Sequence, residues 1–184
     1  MKTRQISTAI GLGLLLSAIS SQAAEPSPVI ENLKPLQTGI GNWEAQFQDE
    51  TFGPVQAKMT SRPDTGGATL DERWELLKDG QSVWTARVIY FWHVETKSIH
   101  YVYFASDGAH AAGILAKSSA NEWIWHVSGY DNEGRPTTAI CRGALEGNNK
   151  FTVRFTSQFT AGDPQPDSQL YTFKRVTGAG AERK

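Results

Sequence analysis

The side chains in this sequence that could do chemistry are few, and none sits at a spacing that belongs to a known reaction. Its four histidines, His93, His100, His110 and His126, lack the short intervals that zinc and iron ligands use. Only His93 and His100 could share a face, as diagonal neighbours. No Gly-x-Ser-x-Gly segment and no phosphate-cradling glycine loop occurs, and Ser106-Asp107-Gly108 reads as a turn. Cys141 is the only cysteine, so it has no intramolecular disulfide partner. It stands between Ile140 and Arg142 on a strand whose register points it outward, with no base beside it to make it a nucleophile. What remains is a set of polar residues among large aromatics: Glu72, Arg87, His100 and Arg142 with Trp74, Trp123 and Trp125.

Gathered into one cavity, these residues would bury an apolar ligand against indole walls. Two arginines set against one glutamate would orient an anionic end such as a carboxylate. A second use is enzymatic: Glu72 and His100 could serve as acid and base in a cofactor-free isomerase, cyclase or hydratase if burial shifted their pKa values. A third reading is structural, with Glu72 and Arg87 as an internal ion pair and Arg142 reaching out at a barrel mouth.

The elements that must position these residues are strands. Short runs rich in Val, Ile, Thr, Phe, Tyr and Trp are broken at regular intervals by turn signals. These are Asp64-Thr65-Gly66-Gly67, Asp79-Gly80, Glu95-Thr96, Asp107-Gly108, Asp131-Asn132-Glu133-Gly134 and Glu146-Gly147-Asn148-Asn149. The spacing predicts an all-β domain of about ten antiparallel strands, a sandwich or barrel. Only Leu33 to Thr38 suits a helical turn, and no segment keeps a 3.6-residue apolar period. Trp43, Ala45 and Phe47 alternate with polar neighbours, as do Phe151, Val153 and Phe155, so each of those strands has a wet and a dry side.

A two-residue turn at Asp79-Gly80 pairs Lys78 with Gln81, which sets Glu72 opposite Arg87 and Trp74 opposite Thr85, all facing inward. Extending the register through Glu95-Thr96 puts His100 opposite Phe91, again inward, with Leu115 beside it. Four-residue turns at 131–134 and 146–149 align Trp123 with Arg142 and Arg142 with Val153. The same register leaves Trp84, Val88, Tyr90, Trp92, Ile99, Tyr101, Tyr103 and Ile114 on the outer face. A patch of that size would mark a homodimer interface or a partner site. A register shifted by one residue would instead send these aromatics inside.

Leu33-x-x-Leu36 leading into Gly41-Asn42-Trp43 resembles the lipocalin opening motif Gly-x-Trp, and the last strand, Tyr171-Thr172-Phe173-Lys174-Arg175, fits the same family pattern. The domain is similar to the bacterial lipocalin-like, or calycin-like, barrels. That resemblance implies an up-and-down antiparallel barrel with a short N-terminal helical turn, and by analogy small-molecule binding. It also implies that a basic residue of the last strand, Arg175 or Lys174, packs over Trp43 and closes the barrel base. A haem-binding barrel resembling nitrobindin would need a lumen histidine, for which His100 is the candidate; no cofactor and no metal is otherwise expected.

Lys2 and Arg4, a mostly apolar run from Ile10 to Ile19 and the small-x-small end Ser21-Gln22-Ala23 have the form of a cleavable signal peptide. The domain expectation is therefore a leader over 1–23, tails over 24–32 and 177–184, and one barrel over 33–176. Its place is a periplasm or the extracellular space, with no stable membrane anchor. Lys and Arg number 18 against 19 Asp and Glu, and losing Lys2 and Arg4 leaves a mild, interspersed acidic excess. That balance offers no nucleic-acid-binding surface. All six Trp, five Tyr and eight Phe lie beyond the leader, enough to line a large apolar interior.

Overall fold

A computed structural model describes residues 31–176, so the leader and the C-terminal tail expected from the sequence lie outside the described residues. The chain opens with a 3-10 segment, Glu31–Gly39, and continues as β1 (Gly41–Asp49), β2 (Gly53–Asp64), β3 (Thr69–Lys78), β4 (Gln81–His93), β5 (Ser98–Ala105) and β6 (His110–Ser118). It then forms β7 (Glu122–Tyr130), β8 (Pro136–Glu146), β9 (Lys150–Thr160), β10 (Asp163–Gln165) and β11 (Tyr171–Arg175). Each strand from β1 to β9 pairs antiparallel with the next, and β11 pairs with both β9 and β1. The result is a closed ten-strand antiparallel barrel, with the strand number that the turn spacing predicts and the closure that the resemblance implies. β10 pairs with the upper part of β9 and β11 with its lower part, so the two are pieces of one interrupted stave.

Every odd-numbered strand up to β9 runs from the base of the barrel to its mouth. The 3-10 segment sits under the base, where Leu33 and Leu36 are buried and the Pro35 carbonyl accepts the Trp123 indole N–H at 2.7 Å. Trp43 opens β1 at the same end with only 1% of its surface exposed. Its Nε1 donates to the Gly39 carbonyl at 2.9 Å, and the Arg175 guanidinium lies 4.1 Å above its ring. Arg175 donates further to the carbonyls of Asn148 (2.6 Å), Ile40 (2.6 Å) and Thr38 (2.8 Å). It therefore ties the last strand, the β8–β9 turn and the N-terminal segment together, with the fork geometry that only arginine offers. Gly41 is glycine for the same reason. Its φ is +140°, and a Cβ there would come within 2.5 Å of Arg175 Nη1.

The register departs from expectation at four places, one of them between β5 and β6, where His100 meets Ile114 rather than Leu115. The Asp79-Gly80 turn has positive φ at both residues and pairs Lys78 with Gln81, as read. A β-bulge then follows between Leu76 and Leu77, so Leu76 meets Trp84, Trp74 meets Ala86 and Glu72 meets Val88. The extra residue turns the rest of β4 over. Phe91 does pair with His100, but both sit on the outside. Between β7 and β8 the connection is five residues rather than four, held by Asp131, whose carboxylate accepts the backbone N–H of Glu133 and of Arg135. Trp125 therefore meets Cys141, and Trp123 meets Gly143 instead of Arg142. The β8–β9 turn is one residue shorter than expected and pairs Glu146 with Lys150, so Arg142 meets Arg154 and Gly143 meets Val153.

Candidate functional site

The interior of the barrel is hollow. A cavity of about 830 Å³ runs from Leu36 and Gly39 at the closed base to Asp49, Phe52, Asp107 and Asn132 at the opposite end. That volume lies within the range of small-molecule sites. Its wall is apolar for most of its height, from Met59, Leu70, Trp74, Leu76 and Val88 to Trp123, Trp125, Phe155 and Phe173.

Glu72 is the one carboxyl group deep in this wall among the described residues. Its side chain is half-buried and lines the cavity. Its Oε1 accepts the Trp74 indole N–H at 2.7 Å and the Tyr90 hydroxyl at 3.1 Å. Burial pushes the carboxyl up to about 7, against the two hydrogen bonds, which favour the charged form. Beside it Tyr90, Tyr101 and Trp125 form a mutual ring cluster, with centroids 5.3 to 5.7 Å apart. Burial raises both tyrosines well above the usual phenol range. Cys141 completes the neighbourhood, its thiol pushed up to about 12 by burial and by the Glu72 charge. A thiol so raised is a weak-donor wall residue rather than a nucleophile.

Of the residues expected inside, Glu72, Trp74, Trp123 and Trp125 line the cavity. The other three do not, and the expectation for them is corrected. Arg87 stands on the outer face, where its Nε donates to Asp71 at 2.6 Å and its Nη2 lies 3.9 Å from Asp64. His100 is also outside, stacked on His93 at 4.6 Å with its Nε2 between the hydroxyls of Thr96 and Ser98. Arg142 is exposed on the outer face of β8. The internal Glu72–Arg87 pair, the Glu72–His100 acid–base pair and a lumen histidine for haem are therefore all absent from the described residues. Cys141, expected outside, faces the cavity.

The outer aromatic patch is corrected in the same way. Trp84, Tyr90, Tyr101 and Tyr103 line the cavity, Trp92 packs against the core, and Val88 and Ile99 are buried. Ile114 does stay outside, 46% exposed. The signal for the inward face was present in β4 itself, where Trp84, Ala86, Val88 and Tyr90 alternate with Thr85, Arg87 and Ile89. Val83 and Trp84 both line the cavity, as expected where a bulge sends adjacent residues to one side.

Charged groups in the cavity wall are all acidic: Asp49 and Asp107 toward the mouth and Glu72 within; no Lys, Arg or His lines it among the described residues. Asp49 caps the β1–β2 turn through the N–H groups of Thr51 and Phe52, and Asp107 accepts the Trp84 indole N–H at 3.2 Å. No buried side-chain polar atom lacks a partner among the described residues.

Room for Tyr101 is made by its cross-strand neighbour Gly113, where a Cβ would meet the Tyr101 ring at 2.0 Å. Gly113→Val is expected to push that ring off its seat and lower stability by about 1–3 kcal/mol, read by urea unfolding. A variant as stable as the parent would show that the ring has another place to go.

No protein-family model matches the chain, and no curated protein matches it.

Proposed function

We propose that this protein is an exported binder of a small, largely apolar molecule, which it holds in the barrel lumen. The observation that carries this reading is the 830 Å³ cavity, walled by aromatic and aliphatic side chains and reached from one end, in a barrel whose other end is closed by Trp43, Arg175 and the 3-10 segment. A stable fold could have filled that space with side chains; leaving it open forgoes the contacts a packed core would make. The basic, apolar and small-residue order of the first 23 residues supports export to a periplasm or beyond. The Gly41-Asn42-Trp43 opening with Arg175 over the indole supports kinship with calycin-like barrels. The anionic end expected for the ligand loses its support, because both arginines meant to hold it stand outside.

The test uses the neutral, environment-sensitive dye N-phenylnaphthylamine. Titration into the mature protein should give enhanced, blue-shifted emission that saturates near one dye per chain. Ala111→Trp, which places an indole into the lumen from β6, should abolish it while leaving the far-ultraviolet dichroism unchanged. No enhancement with the parent protein, or undiminished enhancement with the filled variant, would defeat the reading. Native mass spectrometry of protein taken from its own compartment would identify a retained ligand directly.

A further inference from the structure

We infer that the lumen recognises the protonated amine of an otherwise apolar molecule, with Glu72 as its counter-ion and Tyr90, Tyr101 and Trp125 as its aromatic enclosure. The inference rests on the lumen being the ligand site. It starts from the sign of charge, since the cavity wall carries carboxylates and no cation among the described residues. An anionic ligand would bring a second negative charge into a low-dielectric space with nothing to offset it.

The second step is the state of the Glu72 carboxylate. A carboxylate accepts about four hydrogen bonds. Both donors that reach Glu72, Trp74 Nε1 and Tyr90 Oη, are on Oε1. Oε2 takes no bond from any described residue, and since no fully buried side-chain polar atom among them goes without a partner, Oε2 keeps accessible surface on a side chain that lines the cavity. An N–H donor entering from the mouth finds an acceptor there that no described donor uses. A charge-assisted bond from an ammonium group is the strongest that site can make.

The third step is the wall beside it. Tyr90 carries the hydroxyl that fixes Oε1, and its ring stands 5.7 Å from Tyr101 and 5.3 Å from Trp125. Aromatic rings gathered next to a carboxylate favour a cation over a neutral donor of the same shape. The titratable groups facing Glu72 are Tyr90 on β4, Tyr101 on β5 and Cys141 on β8, all held neutral by burial. The nearest further charge is Asp71, one residue along β3 and turned to the outer face. Glu72 alone therefore sets how binding responds to pH.

Three probes with one skeleton separate the possibilities: phenylbutylamine, phenylbutanol and phenylbutyrate, titrated calorimetrically into the mature protein. At pH 8 the amine should bind at least tenfold more tightly than the alcohol, with the butyrate weaker still. The amine affinity should fall about tenfold per pH unit below pH 7 as Glu72 takes up its proton. Glu72→Gln should erase both the advantage of the amine and its pH dependence, while leaving the alcohol nearly unchanged. Alcohol or butyrate binding as tightly as the amine, or an amine preference that survives Glu72→Gln, would overturn the inference. If N-phenylnaphthylamine binds and none of the three probes does, the amine inference falls and the lumen reading stands. If the dye also fails, both fall.

Discussion

Trp43→Ala should cost about 3–5 kcal/mol of stability, the usual range for deleting a buried indole. The ring is almost wholly enclosed, packs on Phe151 at 5.8 Å between centroids and donates to Gly39. Its removal empties the base of the barrel and strips the Gly39 carbonyl of its donor. Arg175 would also lose the face it lies on, although its three carbonyl contacts remain available. Arg175→Lys keeps the charge but cannot reach three carbonyls from one ammonium, and a smaller loss of about 1–2 kcal/mol is expected. Urea unfolding monitored by far-ultraviolet dichroism measures both. A Trp43→Ala protein within 1 kcal/mol of the parent would mean that the seam between β1 and β11 is held elsewhere.

The base of the barrel was legible because everything that builds it is local or carried by a short motif. Trp43 follows a glycine that the guanidinium requires, and alternation within β1 fixes which side the indole takes. The number of strands was legible too, since turn residues mark their ends whatever the register. The faces of β4, β5 and β8 were not, because they depend on counting. One bulged residue after the Asp79-Gly80 turn inverts β4, and β5 follows it faithfully to the wrong side. The β5–β6 connection holds three residues, 106–108, rather than two, which restores the parity, so Leu115 packs inward as expected. The connections at 131–135 and 147–149 are one residue longer and one shorter than the four expected, which exchanges Arg142 for Cys141 and then cancels, leaving Phe155 inside.

The site inherits this pattern. Glu72 and Trp74 on β3 and Trp123 and Trp125 on β7 face inward as turn counting places them, and the alternation of their own strands agrees. Turn arithmetic sends Tyr90, Tyr101 and Cys141, which give the cavity its chemistry, outside, although the polarity of β4 points the other way. A side chain period of two makes each strand its own witness, and that evidence is stronger than a register carried through several turns.

Glu72→Gln should raise stability at pH 8 by on the order of 3 kcal/mol at most, an effect that vanishes in acid. The folded-state carboxyl titrates near 7 against an ordinary value of 4.5, because burial penalises its charge. Between those values the folded protein binds more protons than the unfolded chain, so stability falls as pH rises from about 4.5 to 7 and is level above it. Cavity water reaching Oε2 eases the ionised form and keeps the effect at or below that figure. Glutamine is neutral throughout, and its carbonyl can accept the same Trp74 and Tyr90 donors, so the variant should lose this slope. His100 works in the opposite sense within the window. Burial and the neighbouring His93 lower its pKa, so folding loses stability as pH falls through 6.5 and below. That contribution is common to both proteins and cancels in their difference, which is the quantity to measure by urea unfolding from pH 5 to pH 8. A difference that grows with pH across that range assigns the buried proton to Glu72. A difference that stays constant would mean that Glu72 is charged in the folded protein throughout, and the pH dependence expected for amine binding would disappear with it.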